Sequence, residues 1–141
     1  MAEDTNAWLR QAEHELRFAR QALASGANDI ACYLGQQALE KYLKGLIILA
    51  GREVPRIHNL YGLASKLRDA TGIAFTDEEM DALKEISFFN IVARYPMGGE
   101  ELAPMEAITA QQAQRTIDVA ARLMARLAPD AAEASGGGDG S

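Results

Sequence analysis

Residues 28–51 read NDIACYLGQQALEKYLKGLIILAG, and this stretch decides the fold. Asn28 suits an N-cap, and Gly51 suits the stop just past a C-terminus, so the segment reads as one helix running to about Ala50. From Leu43 to Ala50 the helix is apolar almost all round. A helix end of that kind is buried by neighbours on several sides, which makes this the expected central helix. Its first half differs, because Tyr33, Gln37, Lys41 and Lys44, or equally Gln36, Glu40 and Lys44, form a polar stripe along one flank.

Working outward, the period stays helical. Trp8, Ala12, Leu16, Ala19 and Leu23 recur every three or four residues and share a face, ending at Ser25-Gly26. The opposite face carries Arg10, Glu13, Arg17, Arg20 and Gln21, with Glu13 placed four residues before Arg17 to pair with it. After a loop held by Pro55, a third helix is expected from about His58, with Leu60, Leu63, Ala64 and Leu67 inward, ending at Thr71-Gly72. Thr76-Asp77-Glu78-Glu79 is a capping box that opens a fourth helix through Met80, Leu83 and Ile86 to Val92 or Ala93. Pro96 and Gly98-Gly99 are expected to break it. A second capping box, Thr109 to Gln112, opens a fifth helix with Ala113, Ile117, Ala120, Met124 and Leu127 on one face. No segment reads as a strand. The fold class is therefore all-α, an antiparallel bundle of about five helices over residues 5–128. Residues 129–141 shift to Gly, Ala, Ser and Asp and read as a flexible acidic tail.

Composition narrows the function. The chain has 141 residues, 48% apolar and 24% charged, with a net charge of −6. That is the balance of one globular domain and disfavours a generally basic nucleic-acid binder. One cysteine, Cys32, excludes an intrachain disulfide, and two histidines, His14 and His58, leave little for a metal centre, so no metal or cofactor is expected. Residues 1–6 are acidic and polar, unlike a signal peptide, and the longest strongly apolar run, residues 45–51, is too short to span a bilayer. The expected location is the cytoplasm, with no membrane partner.

Three features could carry chemistry. Between Glu40 and Arg68 lie Lys41, Lys44, Arg52, Arg56, Lys66 and Arg68, against the acids Glu40 and Glu53. They read either as solvated surface charge or as a cradle for a phosphate, helped by the free amides of a helix starting near His58. Arg94-Tyr95-Pro96 reads as a helix stop with a basic cap. Arg52 and His58 have the spacing of a metal-independent RNA-cleaving pair, arginine holding the phosphate and histidine moving protons. His14 reads as a surface residue, Cys32 as a small core filler, and Phe88 and Phe89 as core. Glu40 and Glu79 are helical acids with no obvious partner for acid–base work.

The stretch from Ala31 to Leu46 resembles the second helix of HEPN domains, whose pattern runs near A-x-Q-Q-A-x-E-K-x-L-K-x-L. Pro55-Arg56-Ile57-His58-Asn59-Leu60 resembles that family's P-x-x-H-x-L entry to the third helix, and Ala93-Arg94-Tyr95-Pro96 its x-R-Y-P segment. The blocks fall in the family's order and point to the prokaryotic branch encoded beside minimal nucleotidyltransferases. The resemblance implies a homodimeric helical bundle that binds a nucleotide or an RNA phosphate through Gln37, Lys41, Lys44, His58, Arg94 and Tyr95, and Tyr33 or Tyr95 is expected to stack on a base. It also implies a role beside a nucleotidyltransferase in a toxin–antitoxin or defence-like system. Ribonuclease members carry Arg-x4–6-His near the start of a late helix; here Tyr95 follows Arg94 and no histidine lies downstream. A non-catalytic nucleotide-binding module is therefore expected, with no catalytic residue assigned. A metal-independent ribonuclease drawing on Arg52, His58 and Arg94 is the first alternative, and a structural dimerisation scaffold the second.

Overall fold

The computed structural model describes residues 2–94 and 103–129, with side chains described from 7 to 93 and from 103 to 129. The described residues form helices and connections, with no strand among them. The helices are α1 (Ala2–Ala24), α2 (Asn28–Leu49), α3 (Leu60–Thr71), α4 (Asp77–Arg94), the single turn α5 (Pro104–Ala107) and α6 (Ala110–Leu127). The all-α bundle read from the sequence is the one observed, with α5 as an unforeseen turn between the fourth and fifth expected helices. The breaking residues Pro96 and Gly98-Gly99, and the tail beyond Pro129, lie outside the described residues.

Helix α2 is the centre. It packs against α1, α3, α4, α5 and α6. Its residues Leu39, Leu43 and Ile47 are enclosed with Leu60, Leu63 and Leu67 of α3, Leu83 and Ile86 of α4, and Leu123 of α6. A smaller cluster at the other end joins Ala19, Ala31, Cys32, Ala113 and Ile117. Two glycines let neighbours approach α2 closely. A Cβ on Gly45 would stand 2.9 Å from Leu9 Cδ2 and 3.0 Å from Trp8 Cβ of α1, and one on Gly35 would stand 3.1 Å from Thr116 Cγ2 of α6.

The helix ends follow from local chemistry. Gly26, at φ 83°, and Gly51, at φ 84°, take the left-handed conformation that closes a helix. Ala27 N–H then donates to Ala22 C=O and Arg52 N–H to Ile47 C=O, the doubled-back bonds that satisfy the last carbonyls. Both expected capping boxes form: Thr76 and Thr109 accept from the amides of Glu79 and Gln112, whose side chains accept in return.

Three expectations need correction. Asn28 does not cap α2; Ala27 holds that position without a side-chain bond, and the Asn28 amide donates 3.3 Å to Ile108 C=O, a tertiary partner that outcompetes the local one. The third helix starts at Leu60, because Asn59 caps it by accepting from Gly62 N–H, which leaves His58 in the preceding loop. Phe88 is exposed rather than core, while Phe89 packs partly buried against both clusters. Glu40 holds Lys44 and His58, and Glu79 holds Arg126. Those pairs join residues far apart in sequence or turn on side-chain direction, so helical spacing did not reveal them.

Candidate functional site

The polar flank of α2 forms one wall of a cavity of about 650 Å³. Tyr33, Gln36, Gln37, Glu40, Lys41 and Lys44 line it from α2. The loop before α3 adds His58 and Asn59, α4 adds Ser87, Asn90 and Ile91, and α1 adds Trp8. The α2 stripe faces this cavity because its residues recur every three or four positions, while the opposite positions are consumed by the core.

Glu40 organises the floor. Its Oε2 lies 2.7 Å from His58 Nδ1 and 3.1 Å from Lys44 Nζ. The Lys44 and Glu40 side chains are only 7% and 6% exposed, whereas His58 is 80% exposed and reaches out from the loop. Lys41 Nζ is held 2.6 Å from Glu15 Oε2 of α1, and the Gln11 amide donates to the same oxygen. Both lysines of the stripe are therefore matched by carboxylates, and among the described residues the site is close to charge-balanced rather than strongly basic. Two uncharged groups complete it. Gln36 is 4% exposed and Asn90 is 7% exposed. Their carbonyl oxygens, Oε1 and Oδ1, accept no hydrogen bond from any described residue.

Of the residues expected at a binding site, Tyr33, Gln37, Lys41, Lys44 and His58 meet at this cavity. Arg94 closes α4, but its side chain is outside the described set, as is the whole of Tyr95. Arg52 is elsewhere. It lines two neighbouring clefts, one with Trp8 and Lys41, which border the cavity as well, the other with Arg56 and Lys66, and both with Glu53. The Arg52–His58 spacing thus does not bring both side chains to the cavity. The basic middle of the sequence is divided between this cavity, which takes Lys41 and Lys44, and the two clefts that take Arg52, with Lys41 lining both the cavity and the first cleft. Asn90 and Ser87 were missed because nothing in α4's sequence shows that this flank meets α2. Gln36 was noticed only as an alternative stripe. Among the described residues no group of three or more His, Cys, Asp or Glu could hold a metal ion, and no helix is long and apolar enough to cross a membrane.

The architecture defines a class: an all-helical bundle whose central helix carries a polar cavity on one flank. The HEPN domain model matches residues 5–129, nearly the whole of the described chain, and the protein belongs to that family. Among solved structures, TT1696 from Thermus thermophilus is 30% identical, covering 86% of this chain and 93% of its own, with a TM-score of 0.77. ST0689, described as an archaeal HEPN homologue, is also 30% identical with the same coverage and a TM-score of 0.64. No curated protein matches the chain.

Proposed function

We propose that this chain is a non-catalytic nucleotide-binding module and that the α2–α4 cavity is its binding site. The observation that carries the reading is that cavity itself: about 650 Å³, polar-lined and walled by the central helix. Its volume falls within the usual range for small-molecule sites, about 300–1,000 Å³. Tyr33 supplies an aromatic face for a base. Glu40 occupies one of the three donors of the Lys44 ammonium, which leaves donors for a ribose or phosphate oxygen. His58 stands at the rim, where a charged phosphate can remain solvated. The three sequence blocks extend the proposal to the branch that works beside a minimal nucleotidyltransferase, as a cytoplasmic homodimer in a toxin–antitoxin or defence-like system. Phe88 and Ile91, exposed on α4 with Ile91 at the cavity edge, favour the dimer.

Thermal unfolding with a panel of nucleotides and a short RNA, at low and moderate salt, tests the reading. A ligand at a hundred times its Kd stabilises the folded state by about 2.7 kcal/mol. The expected result is a rise of several degrees that His58→Ala and Gln37→Ala reduce. No rise with any nucleotide or RNA overturns it.

One observation favours a second reading. His58 Nδ1 lies 2.7 Å from the Glu40 carboxylate, which as an acceptor favours a proton on Nδ1 and leaves Nε2 as the basic nitrogen, the arrangement of a general base. A metal-independent ribonuclease would use it. RNA degradation in excess chelator, lost in His58→Ala, would put that reading first.

A further inference from the structure

The cavity does not stand alone on the surface. Half-buried Trp8 and Lys41 line it and also line the first Arg52 cleft, of about 590 Å³. Arg52, Glu53 and Val54 then line both that cleft and the second one, of about 470 Å³, which adds Arg56, Lys66 and Asp69. The three hollows therefore adjoin in order. On α2 alone their lining runs from Tyr33 to Ile48, about 22 Å of helix at 1.5 Å per residue. A stacked strand advances about 3.4 Å per nucleotide, so the path has room for several nucleotides where the cavity alone takes one.

Charge changes along the path. In the cavity Lys44 is turned to Glu40 and Lys41 to Glu15. Beyond Trp8, Arg52, Arg56 and Lys66 are exposed, and none of them is held by an ion pair or hydrogen bond among the described residues. Of the two acids there, Asp69 is paired with Arg68 at 3.6 Å, and Glu53 is the one that opposes the three cations. Isolated surface cations are ordinary. Three of them on one concave path that adjoins the candidate site fit a ligand with repeated negative charge.

We infer that this path is the binding track of a single-stranded oligonucleotide: one nucleotide seats in the cavity, the strand passes Trp8, and neighbouring phosphates lie against Arg52, Arg56 and Lys66. This rests on the nucleotide-binding reading above and adds the ligand's length to it. The two parts divide the work. The balanced cavity offers hydrogen bonds, and the clefts offer phosphate contacts, which position a strand without reading its sequence. The arginine fork suits phosphate oxygens, and an aromatic side chain on the track offers a face to any base.

Fluorescence anisotropy on the full chain tests this with an adenosine-only strand about ten nucleotides long, more than the track holds, as RNA and as DNA. AMP, measured by calorimetry, and inorganic polyphosphate are the comparisons. Neutralising three phosphates of a single strand is worth about eighteenfold in affinity between 50 and 200 mM salt. The expected result is a strand of either sugar bound about tenfold or more tightly than AMP, with a salt dependence at least that steep. Arg52→Gln/Arg56→Gln/Lys66→Gln should remove about that factor from the salt dependence, change AMP affinity by less than about twofold, and leave the unfolding midpoint unchanged, since all three side chains are exposed. Glu53→Gln should tighten the strand, an improvement that a damaged fold does not give. Trp8 is the chain's one tryptophan, so its emission should change as the strand crosses. A strand bound no more tightly than AMP, or equally well by the triple variant, overturns this inference and leaves the nucleotide-binding reading standing. Strand binding with unchanged Trp8 emission means a separate patch rather than a track and overturns it as well. So does polyphosphate bound as tightly as the strand, because phosphate alone is then recognised. Absence of binding by every nucleotide and strand overturns both readings.

Discussion

Replacing Glu40 by leucine isolates the charge problem that the fold solves at the cavity floor. Glu40 and Lys44 sit 3.1 Å apart with side chains 6% and 7% exposed, so water does little to screen either charge. At an effective dielectric of about 20 their attraction is about 5 kcal/mol, most of which offsets the loss of hydration. Leucine at position 40 keeps the volume but leaves the Lys44 ammonium enclosed without its counter-ion. Breaking a buried pair from one side costs about 3–5 kcal/mol. The His58 contact adds little, because His58 is largely in solvent. For a domain of this size about 3 kcal/mol corresponds to a midpoint lower by roughly 10 °C. The double variant Glu40→Leu/Lys44→Met should recover most of that loss, because an apolar pair of similar volume needs no compensation. Helix-signal circular dichroism during urea and thermal unfolding at pH 7 measures all three proteins. A single-variant loss below about 1 kcal/mol, or a double variant as unstable as the single, would refute the reasoning.

Gly45→Leu should lose about 3 kcal/mol or more in urea unfolding, because its side chain meets Trp8 Cβ and Leu9 where α1 crosses α2 most closely; a wild-type midpoint would show that α1 yields freely. Thr109→Ala removes the oxygen that accepts from Gln112 N–H and should cost about 1 kcal/mol by the same assay. Burial pushes the Cys32 thiol above its ordinary 9.0, and burial, with Glu13 nearby, pushes the Tyr42 phenol above its ordinary 10.0. Both groups are neutral in either state below about pH 8, so their contribution is intact there; above it the unfolded chain ionises first, the thiol before the phenol, and stability falls. The urea midpoint should therefore drop between pH 8.5 and 10.5, and Cys32→Ala should flatten the first part of that drop. The same burial predicts that a thiol reagent at pH 8 labels Cys32 far more slowly in folded than in guanidinium-unfolded protein.

Much of this fold was legible because its signals are local. The capping threonines Thr76 and Thr109, the stop glycines Gly26, Gly51 and Gly72, and the apolar faces of α1, α3 and α6 each act within a turn or two of chain. The wholly apolar end of α2 likewise marked the helix that others surround. What escaped were the choices made by tertiary partners. Asn28 has cap chemistry but finds Ile108 across the bundle. Phe88 has core chemistry but falls on the outer side of α4. At the site, one helix's stripe could be read, whereas its complement on α4 could not, since Ser87 and Asn90 become cavity residues only through the packing of α4 on α2. The ion pairs hid for the same reason: Lys41 looks like a free cation until α1 brings Glu15 beside it.

That pairing changes what the site can select for. A stripe of unpaired lysines would attract any polyanion and give little discrimination among bases, because phosphate contacts carry no sequence information. Here Glu15 and Glu40 neutralise the stripe, and the same helix that bears it is clamped by α1, α3, α4 and α6. The polar groups of the cavity are thereby held in place before any ligand arrives, which reduces the ordering cost of binding. Long-range attraction is given up in exchange. Affinity in such a site must come from hydrogen-bond match and shape. Encounter with a charged ligand should accordingly change most with substitutions at the rim, where His58 stands.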